Sequence, residues 1–173
     1  MKRYIKPFDD ESKMYDAKYL IEIVFNYEPN YEDVAASARV SHPKSIKKSK
    51  RLTDAQLRTF NDLVDSMIGP LIKRKFIIKN EYQSKRSYAY YVDFYPVDRQ
   101  GVKFNDTVRI LFRASDHDLV HGEEGFVAED LILKSFTLLG ETYTDPFALQ
   151  RKVIDICEHL MDGDFMYVAT VDT

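Results

Sequence analysis

The chain has 173 residues, 45% of them hydrophobic and 31% charged, which is ordinary for a globular protein of one domain and enough to bury a core. Its only cysteine, Cys157, excludes an internal disulfide, and no apolar run approaches the roughly 20 residues that span a bilayer. The net charge of −3 hides an asymmetry, because residues 115–173 hold thirteen acidic and three basic side chains, whereas residues 1–114 hold fifteen acidic and twenty-two basic ones.

The N-terminal region predicts an arm followed by a strand. Residues 1–14 carry Pro7 and a polar run, and we expect them to form an extended or loosely held arm of a single domain that comprises residues 1–173. No signal-peptide pattern follows the first residues, so we expect a cytoplasmic location and no membrane partner. Every odd residue from Tyr15 to Tyr27 is apolar, an alternation that predicts a half-buried strand ending near Pro29.

Residues 41–51 form a polar connection that carries basic side chains and no acidic one. The basic residues are Lys44, Lys47, Lys48, Lys50 and Arg51. Clustered Lys and Arg side chains bind nucleic-acid phosphates and release counterions, so this connection is a candidate phosphate-binding loop. A solvated linker has the same composition, and both interpretations stay open.

The first helix is predicted to begin after this connection. Thr53 and Gln56 have the spacing of a capping box, and the apolar residues that follow recur at helical spacing. Gly69-Pro70 is predicted to end the helix, and residues 71–79 are predicted to form a strand.

Two strands around a turn are predicted at the centre of the chain, over residues 86–95 and 107–114. The remaining predicted elements are a strand over residues 131–139, a helix from Asp145-Pro146 to Gly163 and a closing strand over residues 165–171. This order of elements predicts an α+β fold. We expect a mostly antiparallel sheet of about five to six strands, with two main helices packed on one face.

Aromatic and basic side chains on the central strands form the first candidate site. They are Arg86, Tyr88, Tyr90, Tyr91, Arg109 and Arg113. Tyr88 and Tyr90 share one face of their strand and Tyr91 lies on the other, while the apolar row of the next strand leaves Arg109 and Arg113 outward. Outward Arg beside Tyr combines phosphate pairing with base stacking, but it is also common in cross-strand packing.

The acidic segment after the second central strand is the other candidate site. It contains Asp116, His117 and Asp118, followed by His121, Glu123 and Glu124. Several carboxylates after a strand can hold Mg²⁺ in a nuclease. Ser and Asp side chains at a strand end also bond nearby backbone amides, and this structural interpretation needs no metal.

Ser84, Ser87 and Tyr88, followed by the Arg-x-Ser-Asp-His sequence of residues 113–117, form a pattern that resembles a strand pair in small accessory proteins of phages and mobile elements. Some similar small phage proteins are anti-defence factors such as anti-CRISPR inhibitors. The resemblance covers residues 84–117, and it implies a phage or prophage setting and a binding function rather than a metabolic one.

These patterns predict a non-enzymatic protein that binds nucleic acid or a nucleic-acid-processing protein complex, without cofactor, metal or catalytic residue. The basic residues would meet phosphates, or the acidic last third could instead mimic a polyanion and occupy the basic groove of a nuclease. One alternative is a metal-dependent nuclease or hydrolase that uses Asp116, His117, Asp118 and Glu123. Another is an assembly protein, for example a homodimer, in which opposite charges drive self-association.

Overall fold

The computed structural model describes residues 4–8, 10–29, 53–84, 89–115 and 131–170. They form one mixed β-sheet with two α-helices packed on one face. The strands are β1 (Ile5–Phe8), β2 (Tyr19–Pro29), β3 (Ile77–Ser84), β4 (Ala89–Tyr95), β5 (Val108–Ala114), β6 (Leu131–Leu138), β7 (Glu141–Tyr143) and β8 (Ala169–Thr170). The helices are a 3-10 helix (Glu11–Tyr15), α1 (Asp54–Lys73) and α2 (Pro146–Met161). No helix in these ranges is long and apolar enough to cross a membrane.

The main path of the sheet runs in the order β1-β3-β4-β5-β2-β6-β7, and β8 pairs with the start of β2. The β1–β3 and β2–β5 pairs are parallel, and the other pairs of described strands are antiparallel. The predicted α+β class with two main helices is confirmed. The predicted sheet is corrected, because it is mixed and has more strands than expected. Two strands escaped prediction because β1 and β7 have only four and three residues, too few for alternation to be read.

Strand β2 supplies the centre of the main core. The predicted alternation is confirmed from Tyr19 onward, since Ile21, Ile23 and Phe25 all point towards the helices and are buried. The Phe25 ring packs 4.8 Å from the ring of Phe60 on α1, and further phenylalanines of the neighbouring strands surround it. This aromatic contact joins the first helix to the middle of the sheet.

Helix α1 begins as predicted but ends later. The capping box is confirmed, because the Thr53 hydroxyl accepts from the Gln56 amide (3.2 Å) and the Gln56 side chain accepts from the Thr53 amide (2.8 Å). The predicted end at Gly69-Pro70 is wrong, because the helix continues to Lys73 with Pro70 buried inside it. The strand predicted over residues 71–79 therefore starts only at residue 77.

The helix continues through Pro70 because another residue supplies the missing hydrogen bond. Proline has no N–H to offer the carbonyl four residues earlier, which here belongs to Ser66. The Gln150 side-chain amide of α2 donates to that carbonyl at 3.2 Å. The bond also ties the two helices together.

Helix α2 follows the predicted boundaries. The Asp145 side chain caps its first turn by accepting from the Phe147 amide at 3.0 Å, and Pro146 is the first helical residue. Gly163 follows the C-cap with φ 78°, a left-handed conformation that glycine adopts without strain. Cys157 is buried on this helix, and burial raises the pKa of its thiol to about 12. It is a small core side chain, as predicted.

The sheet face opposite the helices, here called the open face, is partly covered by the N-terminal strap, our name for residues 4–8 and 10–15. Residues 5–8, which the sequence placed in a loosely held arm, pair with β3 as strand β1. A second apolar cluster lies beneath the strap and is formed by Phe8, Met14, Leu20, Ala89, Tyr91 and Leu111. The strap thus adds a small apolar layer to the open face.

We expect Gln150→Leu to lower the free energy of unfolding by about 1–2 kcal/mol, because the Ser66 carbonyl then lacks its donor. In a Pro70→Ala background the regained N–H can bond that carbonyl, so the same change should cost clearly less. Urea denaturation of the four proteins in this double-mutant cycle measures the difference. Equal costs in both backgrounds would contradict the compensation.

Candidate binding surfaces

The structure describes four of the predicted binding residues, and all four lie on β4 and β5. They are Tyr90, Tyr91, Arg109 and Arg113. The other nine lie outside the described residues: Lys44, Lys47, Lys48, Lys50, Arg51, Arg86, Tyr88, Asp116 and His117.

Tyr90 faces the helices and is part of the main core. Its side chain is 2% exposed, in the same core as Val92 and Phe94. Its hydroxyl donates to the buried Glu81 carboxylate at 2.6 Å. In this structure Tyr90 therefore offers no surface to a base.

Arg109 and Tyr91 lie on the open face beneath the strap. The Arg109 guanidinium bonds both oxygens of the Asp93 carboxylate, with Nε–Oδ1 2.7 Å and Nη2–Oδ2 3.0 Å. Its Nη1 donates to the backbone carbonyls of Lys13 and Met14 in the strap. The guanidinium carbon also lies 4.0 Å from the centre of the Tyr91 ring.

The surroundings of Arg109 keep it charged although it is buried. Burial is the largest influence and lowers the pKa of Arg109, but the hydrogen bonds and negative charge of Asp93 together raise it above its ordinary value. The side chain of Arg109 points away from the main core, in the direction that strand alternation predicts. It is nevertheless not exposed to solvent, because the strap covers it. The sequence did not predict this cover, because alternation within a strand carries no information about a segment that folds over it.

Arg113 is the one of these four side chains that remains partly accessible, with 25% of its side-chain surface exposed. Its Nε lies 3.2 Å from a carboxylate oxygen of Glu22 on β2. Burial, and then a hydrogen bond to the same carboxylate, raise the pKa of Tyr15 to about 12, so its hydroxyl stays protonated at neutral pH. These three side chains form a polar group at the border of the strap.

We expect Arg109→Met to lower the free energy of unfolding by about 3–5 kcal/mol, because it leaves the buried Asp93 carboxylate unpaired. Asp93→Leu should be similarly costly, since the guanidinium then loses its counter-ion. The double variant should cost less than the sum of the two single changes, which denaturant unfolding of the cycle measures. Additive effects would show that the pair is not energetically coupled.

The three longer internal connections that are not described all have their flanking described residues at the same end of the sheet, here called the connection end. They are residues 30–52, 85–88 and 116–130. β2 and β5 run parallel, so their last residues lie together: the Ser115 amide donates to the Phe25 carbonyl (2.8 Å), and its hydroxyl accepts from the Tyr27 amide (3.0 Å). β6 begins opposite the end of β2, and α1 begins beside it, because Gln56 bonds the Leu131 carbonyl.

These connections contain all nine of the predicted residues that are not described. Residues 30–52 carry six Lys and Arg against two acidic residues, and residues 85–88 carry two more basic ones. Residues 116–130 carry six acidic residues and no Lys or Arg. Connections of opposite net charge therefore follow the neighbouring strands β2 and β5.

A groove of about 410 Å³ lies at the opposite end of the sheet and was not predicted. Arg99, Phe104 and Met161 contribute to its lining, from the β4–β5 connection and the end of α2. Glu158 fixes this corner, since its carboxylate accepts from Arg74 at 2.6 Å and from Arg99 at 3.0 Å. These residues are distant in sequence, so no local pattern marks them as neighbours.

Glu158 makes part of the stability depend on pH. Its pKa is lowered, first by the hydrogen bond from Arg74, so its contribution is present above the ordinary value of 4.5 and is lost as the pH falls through the lowered pKa. We expect Glu158→Gln to cost about 1 kcal/mol or less at pH 7, because the side chain is 38% exposed. The difference should shrink in urea unfolding at pH 3, whereas Glu28→Gln on exposed β2 surface should have little effect at either pH. A cost that persists unchanged at pH 3 would contradict the assignment.

Within the described ranges, no three His, Cys, Asp or Glu side chains are grouped closely enough to hold a metal ion. The carboxylates proposed for metal from the sequence, Asp116, Asp118 and Glu123, lie outside those ranges. Comparison of the chain with protein-family models, with curated proteins and with solved structures found no match.

Proposed function

We propose that this protein is a non-enzymatic binding protein that engages nucleic acid, or a protein complex that processes it, through the connection end of its sheet. The observation that supports this proposal is the common origin of the three connections. Arg86, Tyr88 and the basic cluster of residues 44–51 all belong to connections that begin and end there. The described residues that flank these connections therefore lie at one end of the sheet, although they are far apart in sequence.

The contacts of the candidate binding residues that the structure describes also favour the connection end as the binding surface. Tyr90, Tyr91 and Arg109 all make contacts inside the protein, so these three side chains are engaged while the strap is in place. Connections at the rim of a rigid sheet are common carriers of binding residues, because the scaffold fixes where they start. The basic connections would contact phosphates and release counterions.

The test is the salt dependence of binding to fluorescent single- and double-stranded DNA and RNA. We expect the affinity to fall steeply as salt rises, with the oligonucleotide intact. Replacing Lys47, Lys48 and Arg51 with Gln should reduce the slope of log affinity against log salt by up to about 0.9 for each phosphate that the variant no longer neutralises.

The matched control replaces three exposed lysines away from the connection end, Lys73, Lys75 and Lys79, with Gln. Because it removes the same charge, it separates a local effect from the effect of net charge. An equal reduction of the slope in both variants would contradict the connection end as the binding surface. No binding by the unmodified protein would exclude nucleic acid as the direct ligand and leave the protein complex as the partner.

A metal-dependent nuclease is the second candidate, and one observation favours it. Asp116, His117 and Asp118 directly follow Ser115, which two hydrogen bonds hold against the end of the parallel strand β2. Ligands commonly bind outside the carboxyl ends of adjacent parallel strands. Cleavage of the oligonucleotide only with Mg²⁺, abolished by Asp116→Ala and His117→Ala, would establish this function in place of the first.

The narrower expectation of an anti-defence inhibitor from a phage stays a prediction of the sequence resemblance. If it is right, the connection end should compete with nucleic acid for a nuclease complex rather than bind nucleic acid alone.

A further inference from the structure

The N-terminal strap covers a group of side chains with the chemistry of a stacking surface. The rings of Tyr82 and Tyr91 lie 4.8 Å apart on neighbouring strands, inclined by 32°. The Arg109 guanidinium carbon stands over Tyr91, 4.0 Å from the centre of the ring. Aromatic rings interleaved with cations are what proteins use to bind single-stranded nucleic acid without sequence preference.

The contacts of the strap with this surface resemble those of a nucleotide. The Phe8 ring packs 5.2 Å from the Tyr91 ring at an interplanar angle of 52°, so it contacts Tyr91 as a tilted ring. The carbonyl oxygens of Lys13 and Met14 accept from Arg109 Nη1, as phosphate oxygens would. Arg109 Nε and Nη2 meanwhile stay on Asp93, so the guanidinium remains paired whichever acceptor meets Nη1.

The described part of the strap is held by a short edge strand, by the side chains of Phe8 and Met14 and by the hydrogen bonds from Arg109. β1 has four residues at the edge of the sheet, and Pro7 within it has no N–H to donate. Phe8 and Met14 are buried, at 7% and 9% exposure, whereas Tyr4 and Ile5 are 77% and 44% exposed. Short edge elements with few buried contacts open at low free-energy cost, well before the core unfolds.

We propose that the strap is a displaceable cover, and that the surface beneath it, formed by Tyr82, Tyr91 and Arg109, binds single-stranded nucleic acid when the strap moves away. The inference rests on the proposed function for the class of ligand, but it assigns a second surface, distinct from the connection end. Binding is then coupled to strap opening. The apparent affinity for a single strand is the affinity of the open form multiplied by the fraction of molecules that are open.

The decisive experiment locks the strap with a disulfide. Pro7 of β1 is paired with Gln83 of β3 in register, and paired strands bring Cα atoms to within about 5 Å, which is inside the range of disulfides. The protein is therefore made as Pro7→Cys/Gln83→Cys. Cys157 is buried and does not compete for the new thiols.

Binding of fluorescein-labelled oligo(dT) is measured for the oxidised and the reduced forms of this one variant. We expect the oxidised form to bind about tenfold or more weakly, and dithiothreitol to restore the affinity. Pro7→Cys alone, which cannot form the bond, should not respond to dithiothreitol. Phe8→Ala should strengthen binding, because it removes the ring with which the strap packs against Tyr91.

A further variant tests the surface itself. Tyr82→Leu keeps an apolar side chain but removes the stacking ring, and we expect it to weaken oligo(dT) binding roughly fivefold or more in the reduced protein. The bases of duplex DNA are not free to stack on protein side chains. The affinity of the protein for duplex DNA should therefore change neither with Tyr82→Leu nor with formation of the disulfide.

The outcomes separate the two proposals. Equal binding by the oxidised and reduced forms, with the Lys47/Lys48/Arg51 dependence intact, would overturn the cover and leave the proposed function standing. Absence of binding in every form, including Phe8→Ala, would overturn both the cover and nucleic acid as the direct ligand of the protein.

Discussion

The Arg109 guanidinium holds together the two layers on the open face of the sheet. Two of its nitrogens bond the Asp93 carboxylate within the sheet, and the third bonds backbone carbonyls of the strap. A buried charge without its partners costs several kcal/mol, so the position of the strap and the integrity of the β4–β5 pair depend on one side chain. The residue that appears in the sequence as a surface cation is, in the closed arrangement, the internal link between strap and sheet.

The acidic and the more basic parts of the sequence do not form two separate halves of the described structure. Glu158 and Asp162, from the acidic last third, bond Arg74 and Arg99 from the more basic part of the chain. At the connection end, segments of opposite sign leave from adjacent strands. The asymmetry along the chain therefore serves contacts between distant segments as well as any partner.

Local signals in the sequence predicted local structure well. The Thr53–Gln56 capping box and the Asp145-Pro146 helix start are determined by residues within one turn, and both are present. The helix end predicted at Pro70 is wrong because the compensating donor, Gln150, lies on another helix, 84 residues from Ser66 in sequence. The parallel pairing of β2 with β5 was missed for the same reason, since alternation within a strand carries no information about its neighbour.

The candidate sites likewise combine features that local sequence predicts with features that depend on distant segments. Alternation predicted which side chains of β4 and β5 share a face, but it could not show that the strap covers Tyr91 and Arg109. The groove beside Arg99 joins two segments that meet only in the folded protein. Sequence patterns thus identified the side chains with binding chemistry, whereas their accessibility depends on segments that fold over them from elsewhere in the chain.

The central position of β2 has a consequence for how the protein is made. Leu20 pairs with Arg109 and Phe25 with Ala114, whereas the β3–β4, β4–β5 and β6–β7 pairs join strands that are consecutive in the chain. Closing so long a loop costs more entropy than closing a hairpin, so the β2–β5 pair should form late and set the folding rate. On the ribosome, β2 emerges long before β5, and its row of Ile21, Ile23 and Phe25 stays without its central neighbour until then. The nascent chain is thus exposed to aggregation or chaperone capture through the apolar row of β2 until β5 has been made.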